Sequence, residues 1–107
     1  MKLVALEVSL DVIRSLRHTI APLRRSDPKL YDQIRRAASS VALNLAEGRR
    51  RTGADRKHLW RIAAGSADEV HTALRVAVAW GDLRPEAMQE VLGLLDRLGG
   101  LLWGLTR

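Results

Sequence analysis

Apolar side chains recur along most of this chain at intervals of three and four, the repeat that gathers them on one face of a helix. Leu3, Leu6, Leu10, Ile13, Leu16 and Ile20 trace the first stripe and predict a helix from about Leu3 to Ala21. Pro22 cannot continue it. Ser26-Asp27-Pro28 then carries the chemistry of a turn and a new start, with Asp27 as N-cap and Pro28 in the first helical position. Leu30, Ile34, Ala37/Ala38, Val41, Leu45 and Gly48 mark a second helix, from Pro28 to about Arg51, which Thr52-Gly53 breaks. Leu59, Ile62/Ala63, Ser66, Val70, Ala73/Leu74 and Ala77 mark a third, from about Ala54 to Trp80. Gly81-Asp82 ends it. Pro85 opens the fourth, which reaches about Leu105 through Met88, Val91/Leu92, Leu95, Leu98/Gly99 and Leu102.

No segment alternates with the period of a strand, so the expected class is all-α, one domain over residues 1–107. Short connections make consecutive helices antiparallel, which predicts an up-down-up-down four-helix bundle. Two features ask for more burial than one bundle supplies. From Ala73 onward the third helix is apolar nearly all round, and the fourth carries Gly93, Gly99, Gly100 and Gly104. A glycine inside a helix costs about 1 kcal/mol against alanine, so close helix approach, curvature or a fraying end should accompany these. Self-association into a homo-oligomer accounts for both features.

Polar residues sit where the second helix would otherwise be core. Ser40, Asn44, Glu47 and Arg51 fall on one stripe, and Gly65, Ser66 and Glu69 present a similar patch on the third helix. Serine and asparagine compete with the helix for backbone hydrogen bonds, so they persist best where a partner satisfies them. Gly65 would let another helix approach closely enough for Asn44 or Glu47 to reach Ser66. The expectation is a buried hydrogen-bonded network, including Gly48, that fixes helix register or a subunit interface.

Composition adds charge to this picture. The net charge is +6, and residues 1–62 hold fourteen of the eighteen Lys and Arg but six of the twelve acids. Arg49, Arg50, Arg51, Arg56, Lys57, His58 and Arg61 surround the turn between the second and third helices, with Asp55 the one acid among them. Arg35 and Arg36 lie a few turns earlier, and Arg24 and Arg25 sit near the opposite end. Such a cluster, beside the positive end of a helix dipole, suits phosphate. The plainer alternative is a solvated helix end that aids solubility. Trp60 alone among the aromatics is close, so contacts to backbone phosphate rather than base stacking are expected.

Catalytic chemistry finds little footing. Cysteine is absent, which excludes disulfides and thiol catalysis. His18, His58 and His71 have no metal-ligand spacing, and neither Glu47 nor Glu69 belongs to a Glu-x-x-His motif. Gly48-Arg49-Arg50-Arg51-Thr52-Gly53 follows a helix and lacks the Gly-Lys-Ser/Thr ending of a phosphate loop. No enzyme, cofactor or metal is expected. Glu7 and Asp11 interrupt the apolar amino terminus, and uncharged runs reach only half of the roughly 20 residues that span a bilayer, so a cytoplasmic protein off the membrane is expected.

Gln33-Ile34-Arg35-Arg36-Ala37-Ala38-Ser39-Ser40-Val41 with Asn44-Leu45-Ala46-Glu47-Gly48, then Ile62-Ala63-Ala64-Gly65-Ser66 and Glu69, resembles the bacterial four helix bundle protein family over about residues 3–103. That family includes the proteins encoded in 23S rRNA intervening sequences, and its relatives include accessory variability proteins of diversity-generating retroelements. The resemblance implies a four-helix protomer in a ring-like homopentamer. For the retroelement branch it also implies a basic surface that binds RNA or DNA and a partner reverse transcriptase. By position, Asn44, Glu47, Gly48, Gly65, Ser66 and Glu69 form the signature. This chain departs from it in having His71 where glutamate is common, Arg56 and Leu59 where aromatics are common, and three arginines at 49–51 where one is usual.

Overall fold

In the computed structural model, which describes residues 2–107, the first stripe folds as α1, Val4–Thr19. It stops two residues before the expected end. Ile20 leaves helical geometry at φ −95°, ψ 1°, its N–H still reaching Leu16 O at 3.0 Å. Pro22 then opens α2, Leu23–Ser26, a single turn where the sequence promised only a connection. Tertiary packing explains it: Leu23 is completely buried, and an anchored side chain holds a turn that four residues could not sustain alone.

The next helix, α3, is Pro28–Gly48. Its start follows the expected chemistry, because Asp27 Oδ1 accepts from Leu30 N–H at 3.1 Å and Pro28 occupies the first turn. Removing that cap with Asp27→Ala should cost about 1 kcal/mol, read as a lower urea midpoint at unchanged slope; an unmoved midpoint would show the cap to be idle. The helix ends three residues before the expected Arg51.

The longest element, α4, is Gly53–Trp80. Gly81 stops it in the left-handed region at φ +83°, with Asp82 N–H returning to Ala77 O at 2.9 Å in a Schellman closure. The fourth predicted helix divides in two. Pro85–Met88 forms a 3-10 turn, closed by Ala87 N–H to Arg84 O at 3.1 Å, and α5 is Gln89–Thr106. Tight turns of this kind commonly precede an α-helix, and here one brings Met88 into the core.

Among the described residues there is no strand. The long helices share one apolar core, with α3 against α4, α1 against α3 and α5, and α4 against α5, in a helical bundle measuring 43 × 23 × 20 Å. Val8, Ile34, Leu45, Val70, Leu74 and Leu98 are essentially inaccessible at its centre. The apolar end of α4 is not fully covered: Ala73, Leu74 and Ala77 are buried, but Val76, Ala79 and Trp80 face outward. No helix among the described residues is long and apolar enough to cross a membrane.

Candidate nucleic-acid interface

The connection from α3 to α4 is built around Trp60. This residue is only 8% exposed and donates from Nε1 to Leu45 O at 3.3 Å, joining α4 to the last turn of α3. Its ring lies directly on Gly48. A Cβ at that position would collide with Nε1 and come within 2.5 Å of Cδ1, so the close approach requires glycine. Arg56 lies over the ring, its guanidinium carbon 5.2 Å from the ring centre.

Arg56 also closes the end of α3. Its Nε donates to Gly48 O at 3.2 Å, an oxygen that also accepts from Arg51 N–H at 3.0 Å, and its Nη2 donates to Arg49 O at 3.0 Å, so the helix end gains a cationic donor. Arg56, expected among the phosphate-binding cations, thus gives two of its donors to the turn, with Trp60 one helical turn further along α4 against its guanidinium. Trp60 itself is too buried for a base to stack on it.

The remaining cations of the turn face solvent. Arg49, Arg50 and Arg51 follow the end of α3 and Lys57 and Arg61 project from the first turns of α4, all exposed. Arg51 pairs with Glu47, Nη2 to Oε1 at 2.8 Å and Nε to the same oxygen at 3.1 Å. That hydrogen bond, and then the carboxylate charge, raises the Arg51 pKa above its ordinary value. Arg50, Lys57 and Arg61 have no ion pair among the described residues. The side chain of Thr52 does not cap α4, so the first N–H groups of that helix open on the same surface. Arg35 and Arg36 are exposed farther back on α3, with Arg35 about 20 Å from Gly48 at about 1.5 Å per residue.

The expected polar network forms in part. Ser66 Oγ donates to Ser40 Oγ at 2.9 Å, and Asn44 Nδ2 reaches Ser40 Oγ at 3.0 Å and Ser40 O at 2.9 Å. These three are half-buried rather than buried. Glu47 stays outside the network, turned to Arg51. Glu69 is exposed and accepts from Gln33 Nε2 at 3.4 Å, a partner the sequence reading missed. Ser40→Ala removes the hub on which Asn44 and Ser66 converge and should cost about 1 kcal/mol; urea unfolding that shows no loss would make the network incidental.

Gly65 does not do what its position suggested. A Cβ there meets nothing within 4 Å, because Ser66 faces α3 while position 65 points to solvent. Positions 93, 99, 100 and 104 of α5 are equally open, so close approach within the protomer does not account for those glycines.

The family model described as 23S rRNA-intervening sequence protein matches residues 3–104. Among solved structures, the chain resembles a Bacteroides thetaiotaomicron protein of unknown function from the S23 ribosomal protein family, with a TM-score of 0.85 at 18% identity, covering 96% of this chain and 98% of that one. Identity so low carries the fold alone. No curated protein matches the chain.

Proposed function

The chain belongs to the family of 23S rRNA-intervening sequence proteins, and from that premise we propose that it is a non-enzymatic, self-associating accessory protein of the cytoplasm that binds nucleic acid. Arg50, Lys57 and Arg61 carry the reading: three exposed cations without an acidic partner, gathered at the uncapped start of α4. Arg49 and Arg51 extend the surface, with Arg35 and Arg36 behind them. Arg56 shapes the turn from within. Such a surface recognises phosphate and is insensitive to base sequence.

The protomer in this proposal is an up-down-up-down antiparallel bundle. Cross-helix hydrogen bonds support that topology for α3 and α4, since Gln33, Ser40 and Leu45 pair with Glu69, Ser66 and Trp60 in descending order. The pentameric ring, and a reverse transcriptase or RNA particle as partner, rest on the family resemblance.

Titration of labelled RNA and DNA hairpins of unrelated sequence at low salt tests the function. Comparable micromolar or tighter binding to all of them is expected, weakening steeply as salt rises. No binding at about 50 mM salt would refute it. A second reading, a structural homo-oligomer without a nucleic-acid role, has its own support. Leu43, Trp80 and Trp103 are 68%, 76% and 67% exposed, and the open glycines of α5 flank Trp103.

A further inference from the structure

Tyr31, in the first turn of α3, stands between two arginines from different elements. The guanidinium carbons of Arg24, on α2, and Arg35, one turn along α3, each lie 5.8 Å from the ring centre. The ring borders a cleft of about 70 Å³ between α1 and α3, with Leu16 and Ile20 in its wall and Arg17, Arg35 and Ser39 at its polar side. Arg17 and Arg35 therefore line the cleft while Arg24 lies over the Tyr31 ring at its border, and none of the three has an ion pair among the described residues. Asp27, the acid of the α2–α3 link, is engaged in capping Leu30 N–H. Asp32 is exposed next to Tyr31 and makes no ion pair.

The cation–π contacts lower the cost of placing two guanidinium groups at one ring, but they leave the charge unneutralised. A phosphate at the mouth of the cleft would neutralise it, with Ser39 Oγ and the guanidinium N–H groups as donors. The cleft lies earlier on α3, the helix whose end carries the basic turn, and no acid occurs between Asp32 and Glu47.

We propose that the Tyr31 cleft is a second phosphate-binding site, which holds the backbone of the same nucleic acid bound at the α3–α4 turn. The inference rests on the nucleic-acid reading above and adds a second point of attachment. The two sites are about 20 Å apart on α3, so a duplex shorter than about six base pairs, at about 3.4 Å per step, reaches only one of them. A longer duplex engages both and gains affinity by effective concentration.

The test uses the full chain and DNA hairpins with stems of about 4 and about 16 base pairs, short and long against the 3.4 Å step. Arg17→Gln with Arg24→Gln, both at exposed positions, should weaken the long hairpin at least tenfold and flatten its salt slope by about 1.8, while binding of the short one changes little. Tyr31 is the single tyrosine, so its ring resonances report the cleft directly and should shift with the long hairpin. If the wild-type chain binds both hairpins and the variant binds them equally well, the second site is overturned and the nucleic-acid reading stands. If neither hairpin binds the wild type, both fall. Inorganic phosphate that moves the Tyr31 resonances when the long hairpin does not would identify a site for a free anion and overturn the bridging role.

Discussion

Trp60→Ala should lower the unfolding free energy by about 3–5 kcal/mol, within the range for truncating a buried aromatic and a large share of the 5–15 kcal/mol typical of a domain. Three interactions disappear together: the ring against Gly48, the Nε1 bond to Leu45 O, and the surface on which Arg56 rests. Once Arg56 loses that support, Gly48 O and Arg49 O lose a well-placed donor. Gly48→Ala tests the same contact from the other side. Its Cβ meets a buried ring, so about 2 kcal/mol of overpacking should outweigh the better helix propensity of alanine. In the Trp60→Ala background the collision is gone, and Gly48→Ala should become neutral or stabilising. Urea unfolding of all four proteins measures the coupling. Additive effects would mean that the ring and the glycine do not touch.

Replacing Arg50, Lys57 and Arg61 together by glutamate should leave that lock intact and remove nucleic-acid binding. All three side chains are exposed and none holds another part of the fold, so far-ultraviolet dichroism and the urea midpoint should change little. Three phosphate contacts correspond to about a 40-fold loss of affinity between roughly 50 and 200 mM salt, from a slope of about −0.9 per contact on duplex DNA. Reversal removes three attractions and installs three repulsions. A fall of at least 100-fold at about 50 mM salt is therefore expected. Retained affinity would move the interface away from the α3–α4 turn.

What was legible in the sequence is what local chemistry decides. Asp27-Pro28 starts α3 where capping and a fixed φ require it, and Gly81 ends α4 where a left-handed residue is needed. The apolar stripes located the core for the same reason, since helical periodicity is a property of each segment alone. Features set by a neighbouring element were not legible. The turn at Leu23–Ser26 exists because Leu23 has a hole to fill, and Pro85–Met88 tightens to bring Met88 inward.

The candidate site divides along the same line. Exposure of Arg50, Lys57 and Arg61 follows from their place outside the stripes. The part Arg56 plays in the turn was not legible, because it depends on two carbonyls eight and seven residues earlier, which only the folded turn brings within reach. One signal was present: Arg56 and Trp60 are four apart on α4, the spacing that lets a cation lie over a ring. Ser40, Asn44 and Ser66 share one hydrogen-bonded group, as their spacing suggests, whereas Glu47 turns to Arg51, Glu69 meets Gln33 at another point of the α3–α4 contact, and position 65 points to solvent.

The salt dependence of duplex DNA binding tests the central claim most directly. For the unaltered chain the plot of log affinity against log salt should fall with a slope of about −2.7 or steeper, three contacts at about −0.9 each. With Arg50, Lys57 and Arg61 reversed, any residual binding should show a slope shallower by about that amount. A flat line for the unaltered chain, or the same slope for both proteins, would contradict a phosphate-binding surface at this turn.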